Sequence, residues 1–298
     1  MNLEVIEKLT EHETDVFNVL SEETGESTVL EKIYIELLKR GKLMFNYRFN
    51  RLFDFIDTFI MIVTYYLLSF IINPTELVKS GYLADYFTFS VIGIAFQHYV
   101  TSSIRGISFT IRREQRMGTI ESLLSTQTSP AVLFIGDSLF YFLYSTAFLV
   151  LALTVGALLG ATLQINIATM LSVFVVTVLL VTANISIGIM SAAVIIKVKE
   201  GEPIGWAITW INQFLSGVFF PISLLPPSVK ALSYVIPLTS ALDANRKILM
   251  FGYTVFHPAI SGTIVYLLVY IIVAYPIAIL MFNYFYDKTR KEGALSDY

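Results

Sequence analysis

Long apolar runs alternate with short polar stretches along most of the chain. We interpret six of these runs as membrane spans, because a span needs about 20 mostly apolar residues. The predicted spans are residues 53–72, 86–106, 131–160, 167–196, 204–221 and 262–286. The third and fourth runs are longer than one crossing requires, so we expect them to tilt or to extend beyond the bilayer. The pattern predicts an all-α membrane protein, with one six-span transmembrane domain over residues 51–298.

The segment before the first span, residues 30–50, has a mixed pattern. Its apolar residues Leu30, Ile33, Leu37 and Met44 fall near one helical face, and charged residues occupy much of the rest. A basic amphipathic helix beside a membrane is typical of the membrane interface. We therefore predict an N-terminal amphipathic interface helix over residues 30–50. The alternative is an ordinary cytosolic extension of the first span.

A proline-rich segment follows the fifth predicted span. Pro221, Pro226, Pro227 and Pro237 interrupt the helix, because proline lacks the backbone donor that a helix needs. Residues 222–255 nevertheless stay fairly apolar. Irregular backbone at membrane depth requires protein or a water-filled cavity to satisfy its polar groups. We predict short external re-entrant helices before the last span, with a plain external loop packed on the bundle as the alternative.

Composition and charge support this assignment and orient it. Hydrophobic residues make up 55% of the 298 residues and charged residues 14%, against about 25% charged in a soluble domain. The lysines and arginines divide sixteen to four between the two sides that six spans define. Basic residues favour the cytoplasmic side. Both termini and the loop between spans two and three are therefore predicted to be cytoplasmic, in a multi-pass protein of the plasma membrane.

The N-terminal region is acidic. Residues 1–36 contain ten acidic residues and two lysines. No basic stretch leads there into an apolar run, so the region does not have the pattern of a secretory signal. We interpret residues 1–29 as an acidic, solvated cytoplasmic tail. A regulatory or partner-binding role for the tail is the alternative.

The chain lacks the residue patterns of common catalytic and nucleotide-binding sites. It has no GxxxxGK[ST] phosphate loop, no HExxH, no GxSxG and no cysteine, and its three histidines lie far apart. We therefore predict no catalytic residue, no metal site and no nucleic-acid partner. The polar residues inside the spans are expected to form hydrogen bonds between helices, with a substrate path as the alternative. They are Gln97, His98, Asp137, Asn184, Asn212, Gln213 and Asn283.

Two stretches together resemble the permease subunits of type-2 ABC exporters. The stretch "RREQRMGTIESLLSTQTSP" resembles the family's Arg/Glu-rich, Gly-Thr-x-Glu, Leu-Leu pattern, although "STQTSP" departs from the proline that many relatives have sooner. Its matching residues are Glu114, Gly118, Thr119, Glu121, Leu123 and Leu124. Residues 215–252 resemble the family's apolar helix ending in Phe-Pro, then Leu-Pro, then a Pro-Leu-Thr run leading to an arginine. The matching residues there are Gly217, Phe220, Pro221, Leu225, Pro226, Pro237, Leu238, Thr239 and Arg246.

The resemblance, which covers about residues 50–287, implies a role for the charged loop between spans two and three. In this family that loop forms a coupling helix that docks in a groove of a separate ATPase subunit. The pattern agrees, because Ile120, Leu123 and Leu124 give an apolar face that suits a groove. The alternative is a helix that merely caps spans two and three. The coupling residues are Arg112, Arg113, Glu114, Arg116, Gly118, Thr119, Glu121, Leu123 and Leu124.

The resemblance further implies partners and a function. The chain would need no cofactor of its own, since ATP and Mg would bind the partner ABC ATPase, and a second copy would complete a homodimer within membrane lipid. The function is that of the membrane-spanning subunit of an ATP-driven exporter. It would move a hydrophobic or amphipathic substrate, such as a drug-like compound or a lipid, out of the cytoplasm or the inner leaflet. Our candidates for the substrate path are Trp206, Trp210, Gln213, Phe219 and Phe220.

Two other functions remain open from the sequence. One is the permease of a lipid-linked polysaccharide exporter, which shares the architecture and often has an N-terminal interface helix. The other is a membrane sensor or scaffold that transports nothing. An ATPase that co-purifies with the chain would separate either exporter from the scaffold.

Overall fold

The computed structural model describes residues 29–46, 48–73, 75–83, 85–116, 130–198 and 201–291, which form helices and turns with no strand among them. The helices are α1 (Val29–Asn46), α2 (Arg48–Ser69), α3 (Thr75–Lys79), α4 (Tyr86–Arg116), α5 (Pro130–Leu158), α6 (Ile167–Val198), α7 (Gly201–Leu215), α8 (Pro227–Ser233), α9 (Pro237–Phe251) and α10 (Pro258–Lys291), with a 3-10 turn over Ile222–Leu224. The all-α prediction is confirmed. Most of the predicted acidic tail, residues 1–28, lies outside these residues, and the predicted division into tail, interface helix and membrane domain stays a prediction.

Helix α4 is the centre of the bundle. It contacts α2, α5, α6, α7 and α9, and every residue from 86 to 96 is buried. The apolar side chains of this stretch join those of the surrounding helices in one hydrophobic core. The part of α4 from residue 86 to 96 is covered by protein, so it does not need the continuous apolar surface of a helix that faces lipid.

Four of the described helices are long and apolar enough to cross a membrane. The apolar parts are Leu52–Ser69, Gly136–Leu158, Ile167–Ile196 and Pro258–Thr289, which correspond to the first, third, fourth and sixth predicted spans. The second predicted span lies in α4, which is not among these four. Its apolar stretch contains the polar residues Gln97 and His98. The fifth lies in α7, which has 15 residues. The count of six spans therefore stays a prediction.

Several predicted boundaries differ from the structure. The interface helix, expected to reach residue 50, ends at Asn46, and the helix of the first span begins at Arg48 rather than near residue 53. The fifth span was expected to reach Pro221, but α7 ends at Leu215 because the chain turns at Gly217, whose φ is +67°. The second span was expected to end near residue 106, but α4 continues without a break to Arg116. The charged residues at the start of the predicted coupling helix are therefore part of the same helix as the span.

The segments predicted to be short helices are helical. The expected interface helix corresponds to α1, which packs against α5. The proline-rich segment forms the 3-10 turn, α8 and α9, and both helices begin with proline at their first position, where its missing N–H costs nothing. The depth of these helices in the membrane, and the interface position of α1, stay predictions.

Candidate functional site

The predicted coupling residues begin in the C-terminal end of α4 and continue beyond it. Arg112, Arg113, Glu114 and Arg116 lie in its last two turns. Gly118, Thr119, Glu121, Leu123 and Leu124 lie outside the described residues. Helix α5 begins at Pro130, immediately after this gap. The coupling segment is thus connected at both ends to long helices that pack against each other.

A buried ion pair joins α1 to α5 close to that segment. Arg40 Nε donates to Asp137 Oδ1, and Arg40 Nη2 donates to Asp137 Oδ2 at 2.6 Å. Glu36, one turn before Arg40, lies 3.2 Å from the same guanidinium. Burial opposes the charge of Arg40, but the carboxylates, Asp137 above all, outweigh burial and raise its pKa above the ordinary value. The pair fixes α1 onto the helix that follows the coupling segment.

Asp137→Asn is expected to destabilise this contact. The substitution keeps the size and one acceptor but removes the negative charge that faces buried Arg40, while Glu36 remains. We expect a loss of about 1–3 kcal/mol in the free energy of unfolding. The measurement is thermal unfolding of the purified full chain in one detergent.

Lys39→Gln is the matched control for this variant. Lys39 is exposed and pairs with the same Glu36 at 3.6 Å, and an exposed pair contributes at most about 1 kcal/mol. Equal unfolding temperatures for Asp137→Asn and Lys39→Gln would show that the buried pair does not hold α1 in place.

A second buried charge, Arg246 on α9, lies at the end of the bundle near the proline-rich segment. Its guanidinium donates to three carbonyl oxygens, from Nε to Phe89 O at 3.2 Å, from Nη1 to Gly217 O at 2.9 Å and from Nη2 to Val218 O at 2.7 Å. The guanidinium carbon lies 3.4 Å from the centre of the Phe89 ring, a cation–π contact. Burial lowers the pKa of Arg246 to about 10, so the side chain is still charged at pH 7.

Two glycines make room for this arginine. Gly217 has a φ of +67°, which glycine adopts without steric cost, and its turn presents the carbonyls of residues 217 and 218 to Arg246. A Cβ on Gly93 of α4 would lie 2.1 Å from Val218 O and 2.9 Å from Arg246 Nη2. The structure thus explains why one sequence motif contains both Gly217 and Arg246, since these residues are hydrogen-bonded across 29 positions.

The comparison with protein families agrees with this arrangement. The family described as ABC-2 type transporter matches residues 34–250, which include both sequence motifs. The chain belongs to the ABC-2 type transporter family. This confirms the resemblance drawn from the two motifs. None of the curated proteins compared with the chain matches it.

Family membership defines the general role of the chain. An ABC-2 membrane domain is a transporter permease and is not itself an ATPase. Family membership and the long apolar helices together identify the chain as a multi-pass membrane protein and a component of a membrane transport system. Permease domains of this family typically work with an ABC ATPase.

Three aromatic side chains form an exposed stripe on α7 of the permease. Trp206 and Trp210 are 54% and 49% exposed, and their ring centres lie 5.8 Å apart. Phe214, which sequence reasoning missed, is 55% exposed and meets Phe220 edge-on at 5.3 Å. Positions 206, 210 and 214 are four residues apart, so they lie on one face of a helix. This spacing was the sequence signal that could have identified Phe214. Trp206, Trp210 and Phe214, with Phe220 beside them, form one surface.

The other two candidates for the substrate path point elsewhere. Gln213 is buried, and its Nε2 donates to Thr101 Oγ1 of α4 at 3.0 Å, the hydrogen bond between helices that we expected for polar residues in spans. Phe219 stacks on Tyr65 of α2 with ring centres 5.2 Å apart. The five predicted path residues therefore do not line one common surface of a single chain.

Proposed function

We propose that this permease is the membrane-spanning subunit of an ATP-driven exporter. The observation that carries the proposal is the family match over residues 34–250, in a chain that has no phosphate loop. ATP and Mg then bind a separate ABC ATPase, and this chain supplies the path through the membrane. A hydrophobic or amphipathic compound, drug-like or lipid, is the substrate class that we propose.

The long helix α4 supports a mechanical link between the ATPase and the membrane path. It has 31 residues, so it is about 46 Å long at 1.5 Å per residue. Its N-terminal half touches Arg246 through Phe89 O, and its C-terminal end leads into the coupling residues. A displacement of the coupling segment by the ATPase would be transmitted along α4 to Arg246. It would also move α5, and with it α1 through the Arg40–Asp137 pair.

The aromatic stripe on α7 supports a path formed by two copies. One copy leaves Trp206, Trp210 and Phe214 exposed. We propose that two permeases pair as a homodimer, with the α7 stripes facing each other along the path. Large aromatic surfaces suit amphipathic substrates, because they offer contact area to an apolar body without requiring defined polar partners.

The orientation follows from the charge distribution, and the structure groups the positions that we place outside. Ser80, next to Lys79, lies 2.6 Å from Ser223 between their hydroxyl oxygens, in the segment that leads to Lys230. The backbone N–H of Gln164 donates to Leu249 O of α9 at 2.7 Å. These contacts connect the surroundings of residues 79 and 164 to the segment that contains α8 and α9, and residue 230 is itself on α8. Such grouping is what we expect of three positions on one side of a membrane.

Cysteine labelling in cells tests this proposal, since an ATPase that uses cytoplasmic ATP requires a cytoplasmic coupling segment. The chain has no cysteine, so single substitutions at Lys79, Gln164 and Lys230 give an unambiguous signal. We expect all three to react with an impermeant thiol reagent from outside.

Cysteines at Ser125, Lys199 and Ser296 should react only after the cells are permeabilised. Labelling of Ser125→Cys from outside in intact cells would overturn both the orientation and the coupling role.

A further inference from the structure

A polar cavity of about 350 Å³ lies beside Arg246 at the end of the bundle. Its walls come from the turn after α3, the turn after α7, and helices α8, α9 and α10. Cavities of this size hold small ligands or the head groups of larger ones. The residues that bear on its chemistry are Lys79, Ser216, Lys230, Thr239, Asp243 and Arg246.

The charge of the cavity wall is positive. Three of the lining residues are cations, Lys79, Lys230 and Arg246, and one is an anion, Asp243. The Asp243 carboxylate is already engaged, because it accepts from the Tyr82 hydroxyl at 2.6 Å and from Lys247 Nζ at 2.8 Å. An anion in the cavity would therefore encounter more positive than negative charge.

Two of these cations, Arg246 and Lys230, form no ion pair with a carboxylate in the described part of the chain. Three N–H groups of Arg246 donate to backbone carbonyls, and the hydroxyl of Tyr82, not a carboxylate, is its nearby side-chain partner. Lys79, at the exposed edge, pairs with Glu76 at 2.6 Å. The Asp243 carboxylate favours the charge of Arg246 from a distance, but burial outweighs it and lowers the pKa of Arg246. A bound anion would therefore stabilise this buried guanidinium further.

Two hydroxyl groups in the wall also lack partners. Ser216 and Thr239 are 2% and 4% exposed, and their side-chain oxygens make no hydrogen bond within the described residues. Buried polar groups are nearly always hydrogen-bonded, to ordered water or a ligand where not to protein. Thr239 is also in the first turn of α9, a 15-residue helix whose positive end favours anions.

We propose that this cavity binds a phosphate group. Lys230 approaches from α8, Arg246 and Thr239 belong to α9, and Ser216 follows α7, so the donors surround the cavity from different directions. A tetrahedral group with several oxygens can accept from such a set, whereas a planar carboxylate cannot reach donors on all sides. Free phosphate and the head group of an anionic phospholipid both present this group, and the titrations below distinguish them.

Phosphate binding would hold the short helices together. A ligand that contacts Lys230 and Thr239 connects α8 to α9, and Arg246 connects α9 to α4. The inference goes beyond the proposed transport function and does not depend on it, because binding requires neither the ATPase nor a transported substrate. A failure of phosphate binding would therefore leave the exporter proposal untouched.

Isothermal titration of the purified full chain in an uncharged detergent tests the proposal. The probes are sodium phosphate, dihexanoyl phosphatidic acid, and dihexanoylglycerol, which has the same acyl chains without the phosphate. We expect phosphatidic acid to bind and dihexanoylglycerol not to bind. Binding of sodium phosphate with similar affinity shows that the phosphate group suffices, and much weaker binding identifies a lipid head group; either result supports the site.

Variants locate the binding in the cavity. Lys230→Glu should weaken binding of phosphatidic acid by at least about tenfold, the effect of losing one charge-assisted contact. Lys288→Glu makes the same charge change at an exposed position of α10 and should leave the affinity unchanged. Lys230→Gln and Thr239→Val are milder substitutions that replace Lys230→Glu if that variant does not fold. Each of them should also weaken the binding of phosphatidic acid.

Three results would overturn the proposal. The first is that neither sodium phosphate nor phosphatidic acid binds the wild-type chain. The second is that dihexanoylglycerol binds as tightly as phosphatidic acid. The third is that the cavity variants bind phosphatidic acid as tightly as Lys288→Glu does.

Discussion

Arg246→Met is expected to destabilise the permease strongly, by about 3–5 kcal/mol in the free energy of unfolding. The substitution leaves the carbonyls of Phe89, Gly217 and Val218 without their donor, and each buried unpaired acceptor costs about 1–3 kcal/mol. It also removes the cation–π contact with the Phe89 ring. Thermal unfolding of the purified full chain measures the effect, and we expect a large fall in the unfolding temperature together with reduced yield.

The neighbouring residue provides a matched control. Lys247 is also on α9 and pairs with Asp243 at 2.8 Å, but its side chain is 29% exposed, so Lys247→Met should cost at most about 1 kcal/mol. Arg246→Lys should be intermediate, because a lysine keeps the charge but cannot donate to three carbonyls in the geometry of a guanidinium. Equal stability of Arg246→Met and Lys247→Met would refute the structural role of Arg246.

Replacing both Leu123 and Leu124 with aspartate is expected to abolish transport and to separate the permease from its ATPase. If these leucines dock in a groove of the partner, the substitution buries charge without a counterion, which costs several kcal/mol. Each 1.4 kcal/mol or so is a factor of ten in affinity, so the complex should dissociate. The packing of the membrane helices should be spared, because the coupling segment is proposed to lie outside the bilayer. Glu121→Arg should have the same effect on transport.

Co-purification of the ATPase measures this effect, with thermal unfolding of the permease as the check on folding. Arg116→Glu is the milder comparison, since a charge at the rim of an interface mainly alters the association rate and its salt dependence. A Leu123/Leu124 double variant that binds the ATPase normally and transports would show that residues 117–129 are only a connector.

The helical architecture and the family were accessible from the sequence because each rests on local patterns. Apolar runs of about 20 residues predicted the four helices that are long and apolar enough to span. Prolines predicted the interruption after the fifth predicted span, and the apolar residues that follow predicted short helices there. The boundaries were less accurate where a single backbone conformation decides them: Gly217 ends α7 early, and no apolar pattern reveals a positive φ.

The contacts that build the site could not be predicted, because they join residues far apart in the sequence. Arg246 appeared as the end of a motif, and its bonds to Gly217 and Val218 depend on how α9 packs beneath α4. Asp137 appeared as one polar residue among several in the spans, and nothing local indicated Arg40 as its partner. Gln213 was named as a path candidate together with Trp206 and Trp210, and nothing local in the sequence showed that Gln213 is buried while the two tryptophans are exposed.

ATP hydrolysis by the reconstituted components tests the central proposal most directly. The purified permease alone should hydrolyse no ATP, and an ABC ATPase subunit that co-purifies with it from its own cells should hydrolyse ATP in complex with it. The Leu123/Leu124 double variant, prepared in parallel, should yield permease without ATPase and without hydrolysis. Hydrolysis by the pure permease, or a permease isolated from its own cells with no ABC ATPase attached under conditions that keep membrane complexes intact, would contradict the proposed function.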